Sequence, residues 1–225
     1  MMTSKTKTSK TDPATVLAAI RSFVDQSPLP SVSMIAVTSR DPFRILVSTM
    51  ISLRTRDEVT LAATERLFEL ARTPETMACL TEKQIAAAIY PAGFYRTKAH
   101  SIRQVARIVK QQHRGTVPAS LEQLTALPGV GRKTANLVLG LGYGIAAICV
   151  DTHVHRIANR LGWIATRTPQ QSEFALQKVL PDEWWVPVNE VLVLFGQQIC
   201  TPQSPWCSRC PVAHGCPRTG VTRVR

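Results

Sequence analysis

Apolar residues recur along this chain every three or four positions, the period of an amphipathic helix. Val16, Leu17, Ile20, Phe23 and Val24 predict a first helix, opened by Asp12 as N-cap and Pro13 at its first position. A second cap-and-proline pair, Asp41-Pro42, opens an apolar helix from Phe43 to about Leu53. Thr81 with Gln84 and Ser120 with Gln123 have capping-box spacing and mark two further starts. Helical patterns recur at about 57–71, 95–113, 132–141, 151–162, 169–179 and 188–199. Residues 27–40, rich in Pro and Ser, read as a connection, and residues 1–11, rich in Ser, Thr and Lys, read as a basic arm. No stretch alternates with the period of two that a strand requires. The fold class is all-α.

Composition narrows this little. A chain of 225 residues is one large domain or two small ones, and 44% hydrophobic content is enough for a full core. No apolar run reaches the roughly 18 to 20 residues of a membrane helix. The first residues lack the apolar stretch of a secretory signal. Charge says more, because 27 Lys and Arg face 15 Asp and Glu, a net charge of +12. Between Glu82 and Asp151 the only acid is Glu122, whereas Lys83, Arg96, Lys98, Arg103, Arg107, Lys110, Arg114, Arg132 and Lys133 all fall inside. Acids are absent after Glu190, yet Arg209, Arg218, Arg223 and Arg225 follow. Two long basic stretches in a folded chain suggest a phosphate-contacting face.

Candidate chemistry sits in three places. Cys200, Cys207, Cys210 and Cys216 have the spacing C-x6-C-x2-C-x5-C, interleaved with Pro202, Pro205, Pro211 and Pro217. Four thiolates from one short loop suit a tetrahedral zinc or an iron–sulfur cluster, and spacing alone leaves both open. Cys79 and Cys149 lie in apolar surroundings and read as buried core thiols. In Leu127-Pro128-Gly129-Val130-Gly131-Arg132-Lys133-Thr134, two glycines permit a tight turn whose backbone N–H groups can approach an anion. The positive end of the following helix adds to the same site. A nucleotide-binding P-loop is excluded, because Arg132 stands where the glycine before its lysine is required. Further on, Asp151 is placed to cap a helix, while His153 and His155 do not share a helix face and suit no metal pair.

These residues together resemble the helix-hairpin-helix DNA glycosylases, and within them the endonuclease III branch. The resemblance rests on LPGVGRKTAN at 127–136, VDTH at 150–153, the four-cysteine spacing, and Gly93-Phe94-Tyr95 followed by Lys98-Ala99. It implies a two-lobed fold: a six-helix barrel over 35–146 carrying the hairpin, and an iron–sulfur lobe from 13–34 and 147–218. Residues 1–12 would then be a flexible arm and 219–225 a basic tail. It also implies a [4Fe-4S] cluster on Cys200, Cys207, Cys210 and Cys216.

The implied activity is base excision with strand cleavage on oxidised pyrimidines. Lys133 would form a Schiff base with the sugar, and Asp151 would stabilise positive charge developing there. A carboxylate near a lysine holds the ammonium, so Asp151 would not be what frees the amine. Gly129, Val130, Gly131, Arg132, His153 and Arg209 would contact DNA. Arg54 stands where the family has a glutamine that fills the gap left by the flipped nucleotide, and Phe94 where a leucine wedges. The partner would be double-stranded DNA with damaged bases or abasic sites. A monomeric, cytoplasmic and, in a bacterium, nucleoid-associated enzyme is expected. A glycosylase for mismatched or alkylated bases and a non-catalytic DNA-binding module are the competing readings.

Overall fold

A computed structural model of the chain describes residues 12–225, so the arm expected over 1–11 lies outside the described residues. All regular elements among them are helical, and none is long and apolar enough to cross a membrane. Helix α1 (Pro13–Val24) starts as its sequence dictates: Asp12 accepts a hydrogen bond from the Thr15 N–H at 3.0 Å, with Pro13 in the first turn. The chain then forms one compact unit over 28–149, before 150–225 joins α1 in a second.

Residues 27–40 are not a connection. They contain α2 (Ser31–Ser39), which buries Val32, Ile35 and Ala36. Its N-cap is Pro30, which has no side-chain acceptor, so no local capping signal exists. The acceptor arrives from farther along, because the Asp57 carboxylate takes the Ser31 hydroxyl at 2.7 Å and its N–H at 3.3 Å. Next come α3 (Pro42–Ser52), α4 (Asp57–Leu70), α5 (Pro74–Cys79), α6 (Glu82–Ile89), α7 (Tyr95–Gln112), α8 (Leu121–Thr125) and α9 (Arg132–Tyr143). That makes eight helices between residues 28 and 149, two of them only six and five residues long. The unit also includes residues 28–34, which the sequence reading gave to the other lobe.

Helix α3 is the central element and packs against α2, α4, α7 and α9. It is apolar almost all round, which suits a helix with neighbours on every side. Ser48 and Thr49 can be buried there because both hydroxyls bond back to the Ile45 carbonyl, at 2.9 and 2.7 Å. Helix α7 has two faces. Ala99, Ile102, Val105, Ala106 and Val109 enter the core, while Arg96, Arg107 and Lys110 remain exposed. Lys98 is on the buried face, 8% exposed, so it does not belong to the basic surface. Cys79 also departs from expectation. It is exposed, because the short α5 turns Pro74 and Met77 inward and leaves Cys79 off that face.

In the second unit, α10 (Thr152–Arg160), α11 (Pro169–Leu176) and α12 (Pro187–Gln198) follow one another, and α12 packs against α1 and α10. The cysteine segment after α12 has only two single 3-10 turns, as its prolines require. Its C-terminal end is not a loose tail, since Arg225 donates its N–H to the Pro205 carbonyl at 2.8 Å and accepts from Ser208 at 3.0 Å. The expected basic tail therefore folds back along the cysteine loop.

Candidate functional site

The hairpin between α8 and α9 is a turn whose side chains point two ways. Gly129 has φ 78°, which favours glycine, and a Cβ there would meet Ser101 at 3.2 Å. Val130 is buried in the core and donates its N–H to the Leu127 carbonyl at 3.1 Å. Gly131 is the N-cap of α9 and no side chain caps that end; a Cβ on it would meet nothing within 4 Å. The helix start thus opens to solvent with its positive end accessible. Arg132 and Lys133 form the first turn, Arg132 half-buried and Lys133 exposed. Below them, Asn136 donates to the Ile148 carbonyl at 2.9 Å and the Cys149 thiol to the Lys133 carbonyl at 3.5 Å, tying α9 to the segment that follows it.

On the same unit, two turns bring Arg54 and Phe94 together. The Arg54 guanidinium lies 5.4 Å from the centre of the Phe94 ring. Both residues are exposed, Phe94 by 62%, and both have left-handed backbone, with φ 53° and 57°. Left-handed conformations at non-glycine residues cost about 1–3 kcal/mol each and persist where the surroundings enforce them. Here the enforcement is visible. Gly93 donates its N–H to the Thr55 hydroxyl at 3.1 Å, and the two turns approach so closely that a Cβ on Gly93 would stand 2.4 Å from the Arg54 carbonyl oxygen. Lys98 supports the same turn from inside: its ammonium donates to the Ile51 and Leu53 carbonyls at 2.6 Å each and to the Thr55 hydroxyl at 2.9 Å.

Asp151 is in the second unit, as the N-cap of α10. Its carboxylate accepts from the N–H groups of His153 and Val154 at 2.8 and 2.9 Å. The His153 ring lies 3.2 Å from the Arg156 guanidinium. Cys200, Cys207, Cys210 and Cys216 all line one cavity, walled also by Ile157, Phe195, Pro205 and Val212. Burial pushes the Cys210 thiol up to about 11 and raises Cys216 too, with the neighbouring cysteines adding to both shifts. Among the described residues, no three His, Cys, Asp or Glu side chains gather tightly enough to hold a single metal ion. Arg209 is exposed, its guanidinium 5.7 Å from the centre of the Trp206 ring.

Three organising residues were not anticipated. Besides Lys98, Arg156 and Arg160 project from one face of α10 onto the start of the cysteine loop. Arg156 donates to the Cys200 carbonyl at 2.9 Å, and Arg160 to the Cys200 sulfur at 3.4 Å and the Thr201 carbonyl at 2.7 Å. Their spacing of four on a predicted helix was the available signal.

Residues 47–182 match the family model described as HhH-GPD superfamily base excision DNA repair protein. The chain is similar to endonuclease III of Thermotoga maritima, 51% identical over 188 residues that cover 82% of this chain and 88% of that protein. Similarity to endonuclease III of Escherichia coli (strain K12) is 37% over 175 residues, covering 78% and 83% of the two. Among solved structures, it is similar to a trapped endonuclease III–DNA covalent intermediate, with a TM-score of 0.81 at 32% identity, covering 91% of this chain and 94% of that one.

Proposed function

The chain belongs to the HhH-GPD superfamily of base excision DNA repair proteins, and we propose that within it Lys133 is the nucleophile and Asp151 the charge-stabilising carboxylate. Its activity is that of a bifunctional DNA glycosylase and AP lyase, and its partner is damaged double-stranded DNA. The observation that carries the assignment of Lys133 is its exposed position in the first turn of α9, after a glycine N-cap without a side-chain cap. Phosphate held at that helix start would bring the sugar to the amine.

In the proposed sequence, the damaged nucleotide leaves the duplex, and Arg54 and Phe94 occupy the space it vacates. The free amine of Lys133 attacks C1′, the bond from C1′ to the base breaks, and the base leaves carrying the electron pair. Asp151 stabilises the positive charge that develops on the sugar during that step. The nitrogen then loses a proton and its lone pair expels O4′, which takes up a proton as the sugar ring opens, and the resulting iminium acidifies the C2′ proton. Its loss expels the 3′ phosphate by β-elimination and cuts the strand. Hydrolysis of the imine returns Lys133.

Four sulfurs around one largely apolar cavity are a donor set that fits a [4Fe-4S] cluster. Burial that disfavours bare thiolates supports a cationic occupant, which compensates their charge. When bound, the group cross-links the loop. This chain's own residues, Arg156 and Arg160, orient the loop's start, and Arg209 extends from it toward phosphate. Oxidised pyrimidines are the proposed substrates, and a cytoplasmic, nucleoid-associated site of action follows for a bacterial source.

Borohydride reduction on DNA with an abasic site tests the nucleophile. A covalent adduct is expected, lost in Lys133→Ala. An adduct that persists in the variant places the Schiff base elsewhere, and none in the wild type removes the lyase. A panel of duplexes with single defined lesions tests the substrate class.

A further inference from the structure

The ammonium of Lys98 spends all three of its donors inside the protein, on two carbonyls and one hydroxyl. No carboxylate is among these partners, so a charge is buried with only dipoles to compensate it, an arrangement that costs stability. An apolar residue on this face of α7 would serve the core better. What the charge gains is local. Ile51 and Leu53 lie at the C-terminal end of α3, where carbonyls lack helical partners and the helix dipole favours a cation. Lys98 thereby fixes the turn that follows α3, and that turn holds Arg54 at φ 53°.

The third partner extends this control. The Thr55 hydroxyl accepts from Lys98 at 2.9 Å and from the Gly93 N–H at 3.1 Å, while its own position allows it to donate to the Leu53 carbonyl at 3.3 Å. Its hydrogen-bonding capacity is then fully used. Gly93 immediately precedes Phe94. One buried ammonium therefore controls one turn directly and the other through a single hydroxyl, and those two turns carry the two residues proposed to fill the gap in DNA.

We infer that Lys98 is a positioning residue for base extrusion, holding Arg54 and Phe94 in register so that both enter the duplex together. This rests on the reading that Arg54 and Phe94 fill the gap. Lys98 itself touches no DNA. Its effect is confined to steps that require a duplex to be opened.

The test compares wild type, Lys98→Met, Arg54→Ala/Phe94→Ala and the triple variant of the full chain. Readouts are single-turnover excision of an oxidised pyrimidine from duplex, borohydride trapping on single-stranded abasic DNA, and fluorescence of a 2-aminopurine placed beside the lesion, which rises when stacking is lost. Lys98→Met is expected to lose roughly tenfold or more in duplex excision, as a misplaced positioning group does, and to lose the fluorescence rise. Its loss on single-stranded abasic DNA is expected to be several-fold smaller. Adding it to the double variant should cost less than about twofold, because the residues act as one unit.

Equal losses on duplex and single strand, or full additivity in the triple variant, overturn the inference. So does normal extrusion by Lys98→Met while the double variant is impaired, an outcome that leaves the gap-filling reading intact. Normal extrusion by the double variant removes that reading, and the inference with it. Should Lys98→Met fail to fold, Thr55→Val breaks the link to Gly93 without removing the buried charge and is held to the same expectations.

Discussion

The guanidinium of Arg225 lies 4.3 Å from the centre of the Trp206 ring, one residue before the second cysteine of the loop. Its Nε also donates to the Ser204 carbonyl at 2.9 Å, and its backbone pairs with Pro205 and Ser208. The C-terminal residues are thus a brace along the segment between Cys200 and Cys210. Arg209 approaches the same ring, so the indole is in contact with two cations.

This brace predicts a local effect. An exposed cation–π contact is worth about 0.5–1 kcal/mol and the added hydrogen bond about 1 kcal/mol. Arg225→Ala should therefore change global stability little and loosen the loop that the four cysteines share. If the proposed iron–sulfur cluster is bound, bleaching of its visible absorbance by a chelator or oxidant should be faster in Arg225→Ala than in wild type. An unchanged bleaching rate would show that the brace does not bear on the cluster.

Asp151 holds two roles that substitution can separate. As N-cap of α10 it satisfies two backbone N–H groups, and its proposed catalytic role depends on charge. Asparagine caps helices about as well as aspartate, whereas alanine costs about 0.5–2 kcal/mol. Asp151→Asn is expected to keep the melting temperature near that of wild type and to lose excision activity. Asp151→Ala should lose both. Full excision by Asp151→Asn would leave the carboxylate as a cap and nothing more.

Much of this architecture was legible because its signals are local. Asp12, Asp41, Thr81 and Asp151 cap the helices that follow them, within three residues in each case. The cysteine loop and glycine hairpin are equally compact in sequence. What escaped depends on distance along the chain. Helix α2 borrows its cap from Asp57, 26 residues after Ser31. The acceptors that bury Lys98 lie 43 to 47 residues before it, so a position that reads as one more basic residue is an internal strut. Cys79 was misjudged for the opposite reason: apolar neighbours in sequence say nothing about which way a six-residue helix turns.

Burial gives Lys98 a signature in the pH dependence of stability. Desolvation pulls its pKa down from the ordinary 10.5 to about 8. The unfolded chain therefore binds more protons at this site than the folded one between those values, and stability must rise with pH across that window. Below about pH 8 both states are protonated, and the cost of burying the ammonium is fully present. Other groups titrate there as well, so the quantity to measure is the difference in melting temperature between wild type and Lys98→Met. That difference should be flat below pH 8 and move in favour of wild type up to about pH 10.5. A flat or falling difference through the window would show that Lys98 is not desolvated as its position implies.

Gly93 offers the sharpest probe of the two linked turns. Its φ is not in the left-handed region, so alanine brings no backbone strain and only space is at issue. Space is absent, since the added Cβ would stand 2.4 Å from the Arg54 carbonyl oxygen, a backbone atom that cannot rotate away. The turns must then separate, stretching the 3.1 Å bond from Gly93 to Thr55 and moving Arg54 relative to Phe94. Overpacking of this kind costs about 1–3 kcal/mol. A displacement of about 1 Å in a positioning group can cost roughly a hundredfold in rate. Gly93→Ala should therefore melt a few degrees below wild type and lose proportionally more in single-turnover duplex excision. Wild-type melting and excision together would mean that the turns are not locked against each other, and that Arg54 and Phe94 are presented independently.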